Sequence, residues 1–482
     1  MANDVTPIVQ SVVCPSVTDG SKTVDAAEMS RRATLIRNAI IAKGYPRGAR
    51  IALSTANSAD GVAAFLGLIE TGLILVPINT TIPDPEKLHI LADAQPVALI
   101  TDQDSLPQMK DLHAPPEVLR LSDLLATDPP PAAPVETAED EPILILFTSG
   151  STGRPKGVKF HRGRLNGNGR LFGEALFAVG PDDVMLLPME LSSIISVTLL
   201  VAARHVGATL AIAAAPRPDA LLGVLQRARV TMMMTVTTVA DLLLRLTQNT
   251  PDPLPDLRTV VIGGNHVSAE LSERLIAAFG ARVDVIYATT ECAPTTYLVN
   301  RRDVPDGAVG PAAPGVDILI IDPDGNPVPD GEPGELVVSG PQVALGYWTG
   351  EGGTSMDFGD RFATGDLGYR DALGHYHIIG RSKEVIKSGG LSVYPPEVET
   401  VLSRHPDIAG VAVVGKPHRT FGEIVVAFVV PEPGQSPSAA EIIRWSKAHL
   451  ASGKCPRSVR FLQKFPETTT GKIAKTELRK LI

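Results

Sequence analysis

Residues 143–157 read ILILFTSGSTGRPKG, an apolar run that gives way at once to small, hydroxyl and basic residues. The run Ile143–Leu146 shows no polar alternation, the pattern of a strand buried on both faces of a mostly parallel sheet. The loop after it exposes backbone N–H groups. It adds the hydroxyls of Thr148, Ser149, Ser151 and Thr152 and ends on the charge of Lys156, a set suited to holding phosphate. It is not a GxxxxGK[ST] loop, because Lys156 is followed by Gly157 where that motif needs Ser or Thr. A buried strand feeding a phosphate-binding loop points to an α/β fold, and the flanks extend that reading.

Upstream, between Val24 and Ile78, helical patterns alternate with the runs ARIALST and GLILVPIN, as in βαβ units. Residues 103–141, rich in proline and acid, read as a surface connection. Downstream, VMLLP, ATLAIAA, VTMMMTV, TVVIGG and VDVIYA are spaced for crossover helices, a doubly wound pattern. From about Ile318 short runs joined by DG, GNP and PG turns predict antiparallel hairpins. After Arg381 the chain reads as a small α+β unit. The expected organisation is a large N-terminal domain, residues 1–382, of doubly wound sheets with a β subdomain at about 316–382. A small mobile α+β domain, residues 383–482, completes it.

Composition bounds the function. A chain of 482 residues exceeds the size, about 250–300 residues, at which single cores stop growing. A net charge of −9 with scattered lysine and arginine offers no basic face for nucleic acid, so any anion is bound locally. Cys14, Cys292 and Cys455 form no CxxC pair, which argues against a disulfide framework or zinc site and suits a reducing cytoplasm. The N-terminus has no basic region followed by an apolar core, and no apolar stretch is long enough to span a bilayer.

The phosphate loop is joined by YATTE (287–291), GELVVSGPQVALGY (334–347), the run from Thr364 to Lys387, and TTTGK (468–472). In this order and spacing the five stretches resemble the adenylate-forming enzymes: the acyl-CoA synthetases, luciferases and peptide-synthetase adenylation domains. The resemblance implies a reaction in which ATP activates a carboxylic acid as acyl-AMP, pyrophosphate leaves, and CoA takes the acyl group. The implied cofactors are ATP, Mg²⁺ and CoA. No nucleic acid or membrane partner is implied, and a homodimer is compatible with it.

Carried over residue by residue, the resemblance gives Thr148, Ser149, Gly150, Ser151, Thr152, Gly153 and Lys156 to the ATP phosphates. It places Glu291 at Mg²⁺, with Thr148 as helper, where an oxygen ligand suits a hard cation bridging phosphates. Tyr287 is expected against the adenine, with Ala288, Thr289 and Thr290 beside it. Asp366 is expected on the ribose hydroxyls, and Arg381 faces ribose or phosphate as a fixed cation. Gly264, Asn265 and His266 complete the nucleotide and acid surroundings. Position alone makes Asp366 a turn residue and Lys472 a solvated lysine. The resemblance makes Lys472 the catalytic lysine, opposing negative charge in the transition state. It makes Lys383 the hinge, offers Lys387 for the second step, and sets Gly389 and Gly390 beside the pantetheine channel.

The sequence departs from the family where Pro188, Met189, Glu190 and Leu191 stand in place of an aromatic or histidine pair that gates the acid. Glu190 or His266 is available to read a polar group on the acid. The alternatives left open are an amide ligase using the same acyl-adenylate, and a half-reaction enzyme or binder that accepts acyl-adenylate without making it efficiently.

Overall fold

The computed structural model describes residues 14–148, 155–213, 217–251, 253–264, 266–302, 304–349, 355–466 and 473–482. The downstream apolar runs form five parallel strands, Val184–Leu187, Thr209–Ile212, Met232–Val236, Thr259–Gly263 and Arg282–Tyr287. Helices Ile194–Val206, Pro218–Arg227, Thr237–Thr247 and Ala269–Phe279 connect or follow them. Strand Thr296–Leu298 closes one edge of this first sheet, and the short pair Val17–Thr18 and Thr23–Val24 closes the other.

The second sheet is built around Arg50–Ser54, with Ile74–Pro77 and Ala98–Thr101 parallel to it on either side. Strand Pro142–Thr148 runs parallel to Ile74–Pro77, then turns back antiparallel as Lys156–His161. The two described strands that flank the glycine-rich loop therefore pair with each other, Thr148 opposite Lys156. Within residues 103–141, expected as plain connection, Glu117–Arg120 adds an edge strand and Leu121–Ala126 a short helix. In that strand Leu119 is the buried residue, while Val118 beside it is exposed.

One core cluster joins the two sheets. It includes Ile51, Leu75 and Leu144 of the second, Met185 and Met232 of the first, and Phe65, Leu165 and Leu199 from helices. Helix Arg162–Arg170 packs close to Ile194–Val206, where a side chain on Gly169 would meet the Val201 carbonyl at 2.8 Å. Tight backbone approach explains why a polar, glycine-bearing segment sits as a helix in the middle of the molecule.

A third sheet is antiparallel throughout, in the order Ala308–Gly310, Tyr376–Arg381, Phe362–Arg370, Gly334–Ser339, Asp317–Ile321. It begins earlier than the expected boundary of about 316. It also gives up part of its sequence, since Gly346–Trp348 and Ser355–Asp357 extend the second sheet. Trp348 anchors that excursion, its indole N–H donating to the Asp93 carbonyl at 2.9 Å.

The chain leaves the third sheet at Arg381, passes through one 3₁₀ turn, Ser382–Glu384, and enters a fourth sheet at Ile386. That sheet takes Ile386–Ser388, Leu391–Val393, Ile408–His418, Gly422–Pro431 and Ser458–Phe461, none from earlier in the chain. Helices Pro395–Leu402, Ala439–His449 and Lys475–Arg479 join it in a C-terminal β-rich domain with its own buried clusters. Among the described residues no helix is long and apolar enough to cross a membrane.

Candidate active site

Asp366 lies inside the strand Phe362–Arg370, directly opposite Arg381 on the neighbouring antiparallel strand. The position-only expectation of a turn is thus replaced by a cross-strand pair, the geometry in which opposite charges meet most directly. Arg381 Nε stands 2.9 Å from Asp366 Oδ1, and the Tyr287 hydroxyl donates to Oδ2 at 2.6 Å. The Asp366 amide donates to Thr364 Oγ1 at 3.0 Å. Asp366 is 4% exposed. Burial and the Asp366 charge raise the Tyr287 phenol well above its ordinary range, so it stays a donor. For Arg381, burial pulls the guanidinium down, and the surrounding acidic groups, Asp366 foremost with Glu384 and Glu291, together leave the pKa raised.

At the other end of YATTE, the Glu291 carboxylate accepts from the Tyr347 hydroxyl at 2.6 Å. The ring of Tyr347 carries Lys156 Nζ at 5.0 Å from its centroid. Tyr347 thereby links the end of the phosphate loop to Glu291. Burial, followed by the Glu291 charge, raises the Tyr347 phenol. Thr148 ends the strand before the loop, its hydroxyl donating to the Lys156 carbonyl at 3.4 Å.

The turn that carries Glu291 is fixed through its backbone. Its carbonyl accepts from the Ala344 amide at 2.7 Å and from Arg164 Nη1 at 3.2 Å. Arg164 Nη2 reaches the Thr290 carbonyl at 3.0 Å, and Asn168 Nδ2 the Ala293 carbonyl at 3.1 Å. Thr289 closes the turn by accepting from the Cys292 amide on its hydroxyl.

Residues 7–348 match the AMP-binding enzyme family, and residues 397–472 match the AMP-binding enzyme C-terminal domain. The chain belongs to the AMP-binding enzyme family. It is 33% identical over 472 residues to feruloyl-CoA synthase of Amycolatopsis sp, covering 96% of this chain and 95% of that protein. Indoleacetate–CoA ligase of Aromatoleum aromaticum is 30% identical over 477 residues, covering 95% of this chain and 92% of the relative. Among solved structures, ATP-bound MatB from Rhodopseudomonas palustris superposes with a TM-score of 0.88 at 29% identity, over 98% of this chain and 96% of that one. This AMP-binding enzyme is an acyl-CoA synthetase, and its reaction is ATP-dependent ligation of an acid to CoA.

The remaining sequence-derived positions of the AMP-binding enzyme are scattered more widely. Gly264 takes φ +87°, a left-handed conformation that favours glycine, after strand Thr259–Gly263. His266 stands beside Asp306, Nε2 to Oδ2 4.0 Å, and burial lowers its pKa against the pull of that carboxylate. Lys387 Nζ donates to Ser392 Oγ at 2.7 Å across the hairpin whose turn is Gly389–Gly390. Those glycines take φ of +61° and +84°, so SGG is the tip of a β-hairpin. Lys383 is exposed in the 3₁₀ turn between the third and fourth sheets. Ser149, Gly150, Ser151, Thr152, Gly153, Asn265 and Lys472 lie outside the described residues.

Glu190, in the altered stretch, accepts from the Thr80 amide at 2.8 Å and from its hydroxyl, and burial raises its pKa. It therefore bridges the loops that follow strands of the two large sheets. Leu191 beside it is 9% exposed.

Sequence reasoning missed two residues here. Tyr347 ends the quoted stretch GELVVSGPQVALGY, so its position was legible although its contact was not. Arg164 sits in HRGRLNG, which reads as a polar, solvated helix start and carries no signal of burial.

Proposed function

We propose that the enzyme adenylates its acid between two fixed ends of one short segment and then passes the acyl group to CoA after its C-terminal domain moves. The observation that supports this reading is the span of YATTE. Tyr287 at one end meets Asp366 and Arg381, while Glu291 at the other meets Tyr347 under Lys156. A nucleotide laid along that span has its ribose at Asp366 and its phosphates at Lys156 and Thr148.

Mg²⁺ fits this donor set. Magnesium is a hard cation that prefers oxygen ligands, and the Glu291 carboxylate with the Thr148 hydroxyl would supply protein oxygens to it. When bound, the ion neutralises charge on the phosphates.

In the first step a carboxylate oxygen of the acid attacks the α-phosphorus. The bond from that phosphorus to the bridging oxygen breaks, and pyrophosphate leaves. Lys472 opposes the negative charge that builds there, an effect of the kind worth roughly 3–4 kcal/mol of barrier. In the second step the CoA sulfur attacks the acyl carbon, AMP departs with the bonding electrons, and the thiol proton passes to solvent. Lys383 serves as the hinge between the two poses, with residues 1–382 and 383–482 as the bodies it joins. Lys387, Gly389 and Gly390 then line the entry for the thiol.

The activities of feruloyl-CoA synthase and indoleacetate–CoA ligase make an aryl acid the first substrate to test. Pyrophosphate release from MgATP is measured with ferulate, indoleacetate, anthranilate and a long-chain fatty acid, each with and without CoA, with products read by mass spectrometry. Release with one acid class and a CoA thioester is the expected result. An adenylate that accumulates despite CoA identifies an amine acceptor. Thioester from synthetic acyl-adenylate, without pyrophosphate from any acid, overturns adenylation and leaves transfer alone.

A further inference from the structure

Arg164 is 1% exposed, and no carboxylate is within ion-pair distance of it among the described residues. Its guanidinium carbon lies 4.3 Å from the centroid of the Phe160 ring, and among the described residues its Nη1 and Nη2 donate to the carbonyls of Glu291 and Thr290 while Nε has no hydrogen-bond partner. Burying a cation this way carries a desolvation cost that a leucine or methionine of similar size would avoid. What arginine adds is a rigid planar fork able to hold two acceptors at once.

Its acceptors show what the fork is used for. The Thr290 and Glu291 carbonyls belong to the two peptide groups that flank the Glu291 Cα. Holding both fixes the backbone torsions of that residue and hence the direction in which its side chain leaves the turn. The Ala344 amide takes the second lone pair of the Glu291 carbonyl, and Tyr347, three residues on, holds the carboxylate. Arg164 stands in the first turn of helix Arg162–Arg170, which continues directly from strand Lys156–His161. The same short segment therefore sets both the Lys156 end of the phosphate loop and the turn bearing Glu291.

We propose that Arg164 is a positioning residue for adenylation, aiming the Glu291 carboxylate at the metal-bearing phosphates by clamping the peptide groups on either side of it. The inference rests on the reading of Glu291 as the metal-side carboxylate. It assigns to Arg164 no contact with substrate, and it predicts an effect confined to the metal-dependent part of nucleotide binding.

The test uses the full chain and two variants, Arg164→Met and Arg164→Lys, with dissociation constants for AMP, for ATP in EDTA and for ATP with Mg²⁺ measured by calorimetry. The ratio of the two ATP constants reports Glu291 alignment, while AMP reports the Asp366 side. Arg164→Met is expected to reduce the Mg²⁺-dependent gain by roughly tenfold or more, the scale seen when a residue orienting a metal ligand is lost, with AMP affinity held within about twofold. Arg164→Lys keeps the charge but loses the fork, so it falls between; where the Met variant does not fold, this variant carries the same ratio. Equal weakening of AMP and MgATP makes Arg164 a packing residue and overturns the inference, as does an unchanged ratio in both variants. If the unaltered protein binds ATP with no response to Mg²⁺, the role of Glu291 fails first, and the positioning role fails with it.

Discussion

The two acidic residues at the ends of the site are held in opposite ways. Asp366 is buried and both of its oxygens are engaged, by Arg381 across a strand pair and by the Tyr287 hydroxyl. Glu291 is held mainly through its backbone, by Arg164 and Ala344, and its carboxylate accepts from Tyr347. Asp366 is thus a neutralised carboxylate whose geometry its protein partners set, which suits the proposed receptor for the ribose hydroxyls. Glu291 keeps its direction through its backbone, which suits the proposed metal-side carboxylate.

Asp366→Ala tests the first half of that contrast and carries the largest expected effect. On the proposed ribose role, two charge-assisted hydrogen bonds at about 1.5–3 kcal/mol each predict a loss of roughly 10²–10⁴ in kcat/KM for adenylation. AMP affinity should fall with it. The orphaned Tyr287 hydroxyl should cost about 1–3 kcal/mol of stability, read from denaturant unfolding. Arg381 adds little to that cost because its side chain is 51% exposed.

Glu291→Gln tests the second half. The amide oxygen still accepts from Tyr347, so the turn survives while the charge is lost. Pyrophosphate exchange should drop by about a hundredfold at fixed Mg²⁺, several kcal/mol of metal-assisted stabilisation being lost, with AMP affinity nearly unchanged. If this variant weakens AMP as much as Asp366→Ala does, the division into two sides collapses.

Tyr347→Phe sharpens the contrast further, removing one hydrogen bond to a charged group and keeping the ring beneath Lys156. About 1.5 kcal/mol, or roughly tenfold in the KM for MgATP, is expected from steady-state kinetics.

Glu190→Gln gives the smallest effect. A buried carboxyl with a raised pKa holds its proton in the folded state over a pH range where the unfolded chain has released it. Its contribution to stability is therefore greatest below the ordinary glutamate range and falls as pH rises through the raised value. The thermal midpoint of Glu190→Gln should decline less steeply over that interval than that of the unaltered protein. Parallel pH profiles would remove Glu190 from the set of groups that titrate on unfolding.

Much of the scaffold around the candidate site was legible because it depends on short stretches with strong local character. Uninterrupted apolar runs became the parallel strands, and the DG, GNP and PG turns became the antiparallel sheet. SGG became a hairpin tip, since adjacent glycines suit the positive torsions it needs. The strand at Glu117–Arg120 was hidden by its proline-rich neighbours. The return of Gly346–Trp348 to the second sheet was hidden because strand pairing over such distances leaves no local pattern.

By itself the sequence determined the fold class, the strand-to-loop punctuation and the family motifs, all of which are written in residue types a few positions apart. Tertiary structure alone decided that Asp366 faces Arg381 rather than solvent, that Tyr347 reaches Glu291 across 56 positions, and that Arg164 is buried beneath a turn 126 positions away. The physical reason is that a charged side chain on a polar helix start looks solvated until the chain is folded. Only the packed molecule shows which carbonyls it must satisfy in place of water.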